Sequence, residues 1–299
     1  NSFCTLLARL TAVDLTMRRT VGRWLPREST APVSRFLSPH YPFDAVYVIN
    51  LDRRSDRWMH VERQLRKAGL QDGVRFPGID GRNVDVDALV KAGAISATGA
   101  ERLRLPMEEK LFGMDLTPGA LGCALSHRAV WQRIVQAQHK CCLILEDDVE
   151  FHPSIKKTFA DRWSRVPADW DLVYLGGLDL LSADKPPRPF LASGVRYAYQ
   201  GHRELTAYVL HDKSAARCLE LSNEMTWQID THICNIFKDD PAAEDKYISD
   251  PLSYVLQPSL AIQVTKLGTD VQKQPEANPA LADASRRMRE FIGGGTSKR

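Results

Sequence analysis

The chain has 299 residues, 43% of them apolar and 26% charged, which suits one large globular domain whose core needs no disulfide staples. A formal net charge of +3 without a dense Lys/Arg stripe argues against a nucleic-acid binder, and no apolar run approaches the roughly 18 residues that span a bilayer. Six cysteines form no CxxC pair, which speaks against a zinc cluster and leaves the redox compartment open.

Residues 1–40 are rich in arginine (Arg9, Arg18, Arg19, Arg23, Arg27, Arg35) and poor in acids. They read as a poorly ordered basic extension, a transit peptide, or a surface helix making peripheral membrane contact. Prolines up to Pro42 place a boundary near Tyr41, and the β-branched and aromatic run at 45–51 is a strand. Ser55 is positioned to cap the next helix, with Trp58, Val61, Leu65 and Ala68 on one face and Gly69 at its end. A short strand at 74–76 leads into turn chemistry at Gly78-Ile79-Asp80-Gly81. Residues 84–105 hold one or two short helices, and Thr117-Pro118-Gly119 opens a strong helix over 120–137.

The run from Cys141 to Leu145 reads as a buried strand, and it ends in Glu146-Asp147-Asp148. A mixed helix over 153–163, a strand over 171–177 and a loop at 186–189 follow. Strands at 195–199 and 205–210 flank a Gly201 turn, helices cover 213–221 and 229–237, and the last strands lie within 248–256 and 260–264. Residues 41–265 therefore form one α/β domain with a central mixed sheet flanked by helices, of doubly wound type. Residues 266–299 form a largely irregular tail with a short helix around 282–291.

Four constellations carry chemistry. The first-strand end delivers Asn50 and the arginines Arg53, Arg54 and Arg57 into a turn and helix start. Arg forks match phosphate, although pairing with Asp52 and Asp56 on a solvated helix turn is an equally physical use. The Gly119–Trp131 helix allows close approach of a ligand or another backbone, and sets Ser126 and His127 one turn in; a lone helical histidine is more often structural. The acid triplet is either a solvated turn or a site for Mn²⁺ or Mg²⁺, because three adjacent carboxylates need an opposing charge. Asp230 and His232 lie at a helix start, where Asp is also a common N-cap.

In this order the segments resemble glycosyltransferase family 25, which includes bacterial lipopolysaccharide galactosyltransferases and procollagen galactosyltransferases. The likeness rests on Val48–Arg54 with Arg57, on Gly78–Gly81, on Gly119–Trp131, on Leu143–Glu150, on Asp171–Gly177 and on Ala207–Leu210. The resemblance implies a single GT-A-like domain and an inverting transferase that moves a sugar, by association galactose, from a UDP-sugar to a hydroxyl of a glycan, lipopolysaccharide or protein. It implies Mn²⁺ (or Mg²⁺) held by Glu146 and Asp148, with His232 a further ligand or an acceptor contact. Ile49, Asn50, Leu51, Arg54, Arg57, Asp80, Gly81, Ser126, His127 and Asp147 would border the donor, UDP-galactose. Asp230 would be the general base. The triplet is unbroken where a spaced Asp-x-Asp is usual, so the ligating pair stays open. A metal-dependent phosphohydrolase and a non-catalytic nucleotide-sugar or glycan binder are the rival readings. The compartment follows the acceptor: cytoplasmic or membrane-peripheral for a bacterial glycan, the secretory lumen for a protein.

Overall fold

The computed structural model describes residues 40–179, 190–198, 202–233 and 250–272. The basic extension up to residue 39, the 186–189 loop, Gly201, the helix expected beyond Ile233 and the 282–291 helix lie outside these residues. The chain begins with β1 (Ala45–Asn50), α1 (Ser55–Ala68), β2 (Val74–Pro77), α2 (Val86–Lys91), α3 (Ala97–Arg104) and α4 (Pro118–Ala137). It continues with β3 (Cys142–Glu146), β4 (Val149–Phe151), α5 (Ile155–Trp163), β5 (Leu172–Tyr174), β6 (Leu178–Asp179), β7 (Phe190–Ala192), β8 (Val195–Tyr197) and β9 (His202–Arg203). β10 (Ala207–Leu210), α6 (Asp212–Leu221), α7 (Ile229–Ile233), β11 (Ser253–Leu256) and β12 (Ala261–Gln263) complete it.

Eight strands form one mixed sheet in the order β2-β1-β3-β10-β5-β11-β8-β7. β1 runs parallel to β2 and β3, whereas β10 is antiparallel to both of its neighbours, β3 and β5. The alternation of side chains along each strand explains the two cores. Cys142, Ile144, Tyr208 and Leu210 point to the side covered by α4 and α6, and Leu143, Leu145, Val209 and Leu256 to the side covered by α1 and α5. A strand buried on both faces has to be apolar throughout, which is why 141–145 reads as a continuous run. This large mixed sheet flanked by helices is the single GT-A-like domain expected.

Three local expectations need correction. Ser55 does not cap α1: it is the first helical residue, and Arg54 holds the cap position without a capping hydrogen bond from its side chain. The strands on either side of residue 201 are not neighbours, because β8 lies between β11 and β7 while β10 is inserted between β3 and β5. β4, three residues paired with β12, intervenes where the acid turn was expected to run straight into a helix. Three residues are too few to show a period.

Candidate active site

Parallel pairing of β1 with β3 sets Ile49 opposite Glu146, so Asn50 and the acid triplet emerge together at the carboxyl edge of the sheet. Open α/β sheets bind ligands outside that edge. The antiparallel β10 then brings its own approach to the same place. Ala207 pairs with Leu145, and the Glu146 amide donates to the Thr206 carbonyl at 2.9 Å. The result is a cavity of about 260 Å³ lined by Cys123, Glu146, Asp148, Arg203, Glu204 and Asp230, with Gln263 and residues Thr265, Gly268 and Thr269 at its side.

The three acids of the triplet have different surroundings. Asp147 is buried away from the cavity lining and accepts from Asn50 Nδ2 at 2.7 Å and from Arg57 Nη1 at 2.8 Å. Asp148 faces the cavity and has only one oxygen occupied: Oδ2 meets Arg57 Nη1 at 3.2 Å and accepts from Gln263 Nε2 at 3.2 Å. Its Oδ1 is buried with no hydrogen-bond partner. Burial, with the Glu146 charge beside it, pushes the Asp148 carboxyl up to about 7 against the pull of Arg57.

Glu146 is backed by a buried relay. Trp131 Nε1 can only donate, and it does so to Tyr208 Oη at 2.9 Å. Tyr208 Oη lies 2.8 Å from His127 Nδ1, and His127 Nε2 lies 3.1 Å from Glu146 Oε1. A carboxylate accepts only, so Nε2 carries the proton; in the neutral ring Nδ1 then accepts from Tyr208. His127, wholly buried and outside the cavity lining, thus orients Glu146. Cys123 Sγ also reaches Glu146 Oε1 at 3.6 Å, and the ligand atoms of Cys123, His127 and Glu146 lie within 4.8 Å of one another.

The other residues expected at the site have specific places. Ser126 Oγ accepts from the Ile79 amide at 2.8 Å and donates to the Gly122 carbonyl, pinning the 78–81 turn to α4. A Cβ on Gly81 would stand 1.9 Å from the Pro118 carbonyl oxygen, so Gly81 serves backbone packing against α4. Asp80 accepts from Arg82 and Arg53, which hold its carboxyl well below the usual range. Ile49 packs against the core on the α4 side, and the Leu51 carbonyl accepts from the Arg54 amide at 2.9 Å. Arg54 binds Asp56, the Leu267 carbonyl and Asp270. Arg57 adds the Gly268 carbonyl to its two acids. Gly268, Thr269, Val271 and Gln272, assigned by sequence to the tail, therefore form part of the cavity wall.

His232 and Asp230 have their own hydrogen-bond partners. His232 Nε2 accepts from the Thr226 and Trp227 amides at 2.7 and 2.9 Å, which removes that lone pair from metal binding. Burial, with Arg128 nearby, lowers its pKa to about 4, so the ring is neutral. Asp230 is in the cavity, but it accepts from Arg203 through both oxygens at 2.8 and 2.9 Å and from the Thr231 amide at 2.8 Å. Burial works to raise its pKa, and Arg203 with the two neighbouring amides outweighs it, leaving the carboxyl below its ordinary value. That suits a fixed counter-ion better than a proton acceptor. The sequence reading did not single out Cys123, Arg203 or Glu204. The charged pair Arg203-Glu204 just ahead of an apolar strand was the available signal, and only the pairing of β10 with β3 gives it meaning.

Residues 43–185 match the family model of glycosyltransferase family 25 (LPS biosynthesis protein). Over this stretch, just under half of the chain, the sequence is similar to glycosyltransferase family 25. It contains β1, α4 and the acid end of β3, whereas Arg203, Glu204 and Asp230 lie beyond it. Among curated relatives, a glycosyltransferase 25 family member of Drosophila pseudoobscura pseudoobscura is 30% identical over 59% of this chain and 27% of its own length. Procollagen galactosyltransferase 1 of Danio rerio is 33% identical over 45% of this chain and 21% of its own. A probable inactive glycosyltransferase 25 family member 3 of Bos taurus is 34% identical over 50% and 25%. The chain thus spans only about a quarter of the length of these family 25 relatives. Among the described residues no helix is long and apolar enough to cross a membrane.

Proposed function

We propose that the chain is a metal-dependent glycosyltransferase that transfers a sugar, galactose by likeness to its relatives, from a UDP-sugar to an acceptor hydroxyl with inversion at the anomeric carbon. The observation that carries this reading is the buried, partnerless Oδ1 of Asp148 beside Glu146 in the cavity at the carboxyl edge of the sheet. A buried carboxylate oxygen without a donor is costly, and a hard divalent cation is the partner that removes the cost. Glu146 and Asp148 are the residues that would hold Mn²⁺ or Mg²⁺. When bound, the ion would offset charge developing on the leaving diphosphate.

The chain's own residues prepare that arrangement. Arg57, anchored by Asp147 and the Gly268 carbonyl, fixes the Oδ2 side of Asp148 and leaves Oδ1 without a protein partner. The Trp131–Tyr208–His127 relay fixes one oxygen of Glu146, as hydrogen-bonded backing commonly orients a ligating carboxylate. The acceptor, whether glycan, lipid-linked glycan or protein, enters on the side formed by the approach to β10 and by α7.

A screen of UDP release over several UDP-sugars, with and without Mn²⁺ and with simple sugar acceptors, tests the reading. Metal-dependent release that grows with acceptor supports it; release of phosphate or free sugar independent of acceptor overturns it. The probable inactive bovine relative gives weight to a second reading, binding without transfer. Calorimetric donor binding with no turnover over the acceptor panel would establish that reading instead.

A further inference from the structure

Four carboxylates face the cavity, and three are spoken for. Glu146 is bonded to His127, Asp148 to Arg57 and Gln263, and Asp230 to Arg203 through both oxygens. The fourth, Glu204, is half-buried in the cavity wall, and its carboxylate makes no hydrogen bond or ion pair among the described residues. Its backbone is also unusual, with φ of 73°. A glutamate gains nothing by itself from the left-handed region, where only glycine sits without strain. Of the other two non-glycine residues there among the described residues, Gln138 is the C-cap of α4 and Glu224 lies in the turn after α6, both outside the cavity lining. Strained backbone that presents a side chain to a cavity is a recurrent property of functional positions.

Resting on the transferase reading above, we infer that Glu204, which the sequence did not single out, is the general base for the acceptor. Its carboxylate takes the proton from the acceptor hydroxyl while the acceptor oxygen bonds to the anomeric carbon. The bond from that carbon to the phosphate oxygen breaks, and its electron pair leaves with the nucleoside diphosphate. The proton on Glu204 then passes to solvent. Asp230 complements this role by neutralising Arg203, so that no cation claims the neighbouring Glu204. The groups facing Glu204 are Asp230 from α7, Glu146 from β3 and Arg203 beside it. Burial and the two acids push its carboxyl up to about 7 against Arg203, in the range where a base is most effective at neutral pH.

The test compares the wild type with Glu204→Gln and Glu204→Gly in three measurements: turnover with donor and acceptor, donor affinity by calorimetry, and thermal midpoint. General-base loss is expected to lower kcat by at least about 100-fold. Donor affinity should stay within about threefold of the wild type. Glu204→Gly tolerates the left-handed backbone, so its midpoint should be unchanged or higher while turnover is lost. A wild type that transfers to acceptor together with a Glu204→Gln variant of undiminished kcat overturns the base and leaves the transferase reading standing. Donor affinity lost in step with turnover overturns it too, making Glu204 a binding residue. A wild type that binds no UDP-sugar and transfers none overturns both.

Discussion

On one wall of the cavity, Glu146 and Asp148 stand at the end of a strand whose side chains are packed from both sides of the sheet. Each has protein groups gripping one side of its carboxylate. The wall contributed by the approach to β10 and by α7 differs. There Arg203 and Asp230 neutralise each other and Glu204 is left ungripped. Residue type alone does not distinguish these acids, since all are carboxylates within one cavity. What separates them is the inventory of donors already committed. A carboxylate with one oxygen held and one left without a partner suits a cation, one with both held suits a counter-ion, and one with neither held suits proton transfer.

Removing the half-held acid should break this contrast most severely. Asp148→Ala is expected to lower transfer by about 100- to 1,000-fold, the scale seen when a major charge-stabilising group is lost, and to abolish Mn²⁺-dependent donor binding in calorimetry. Its fold should survive, because the substitution removes a carboxyl that burial already disfavours. A variant with full activity would show that the free Oδ1 holds no ligand.

Asp230→Asn probes the fully held acid. It leaves Arg203, nine-tenths buried, without its carboxylate, and breaking such a pair should cost about 3 kcal/mol in urea unfolding. If stability held and only turnover fell, Asp230 would be the proton acceptor after all.

The smallest effect concerns His232, in the same helix as Asp230 but outside the cavity lining. Its folded pKa of about 4 lies below the unfolded 6.5, so the native state favours the neutral ring. The associated stability is present above pH 6.5 and is lost as pH falls toward 4. About 2 kcal/mol should disappear between pH 7 and pH 5. Unfolding of His232→Gln across that range should lose less stability; an identical slope in both proteins would place the pH dependence elsewhere.

The β3 wall was the more legible in sequence. A double-sided strand has to be apolar, and three acids at its end break the run abruptly, so both strand and site announce themselves locally. The helical spacing of Val61, Leu65 and Ala68 located α1 in the same way. The other wall depends on pairing. Nothing local to 205–210 says that the strand enters between β3 and β5 in the antiparallel sense, and that insertion alone turns Arg203 and Glu204 into cavity residues. Likewise, Asp270 is unremarkable in sequence until Arg53 and Arg54 are seen to hold it and, with it, the segment that lines the cavity through Gly268, Thr269, Val271 and Gln272.

The acid triplet also settles how its own spacing should be counted. Successive side chains leaving a strand alternate in direction, and the cavity sees the first and third acids while Asp147 turns back onto Arg57 and Asn50. By direction the unbroken run is a spaced pair, Glu-x-Asp, whose middle residue is a structural pin. Inserting or deleting one residue between Cys142 and Glu146 would therefore preserve the composition of the site and exchange its parts, turning the pin outward and burying both of the residues that face the cavity.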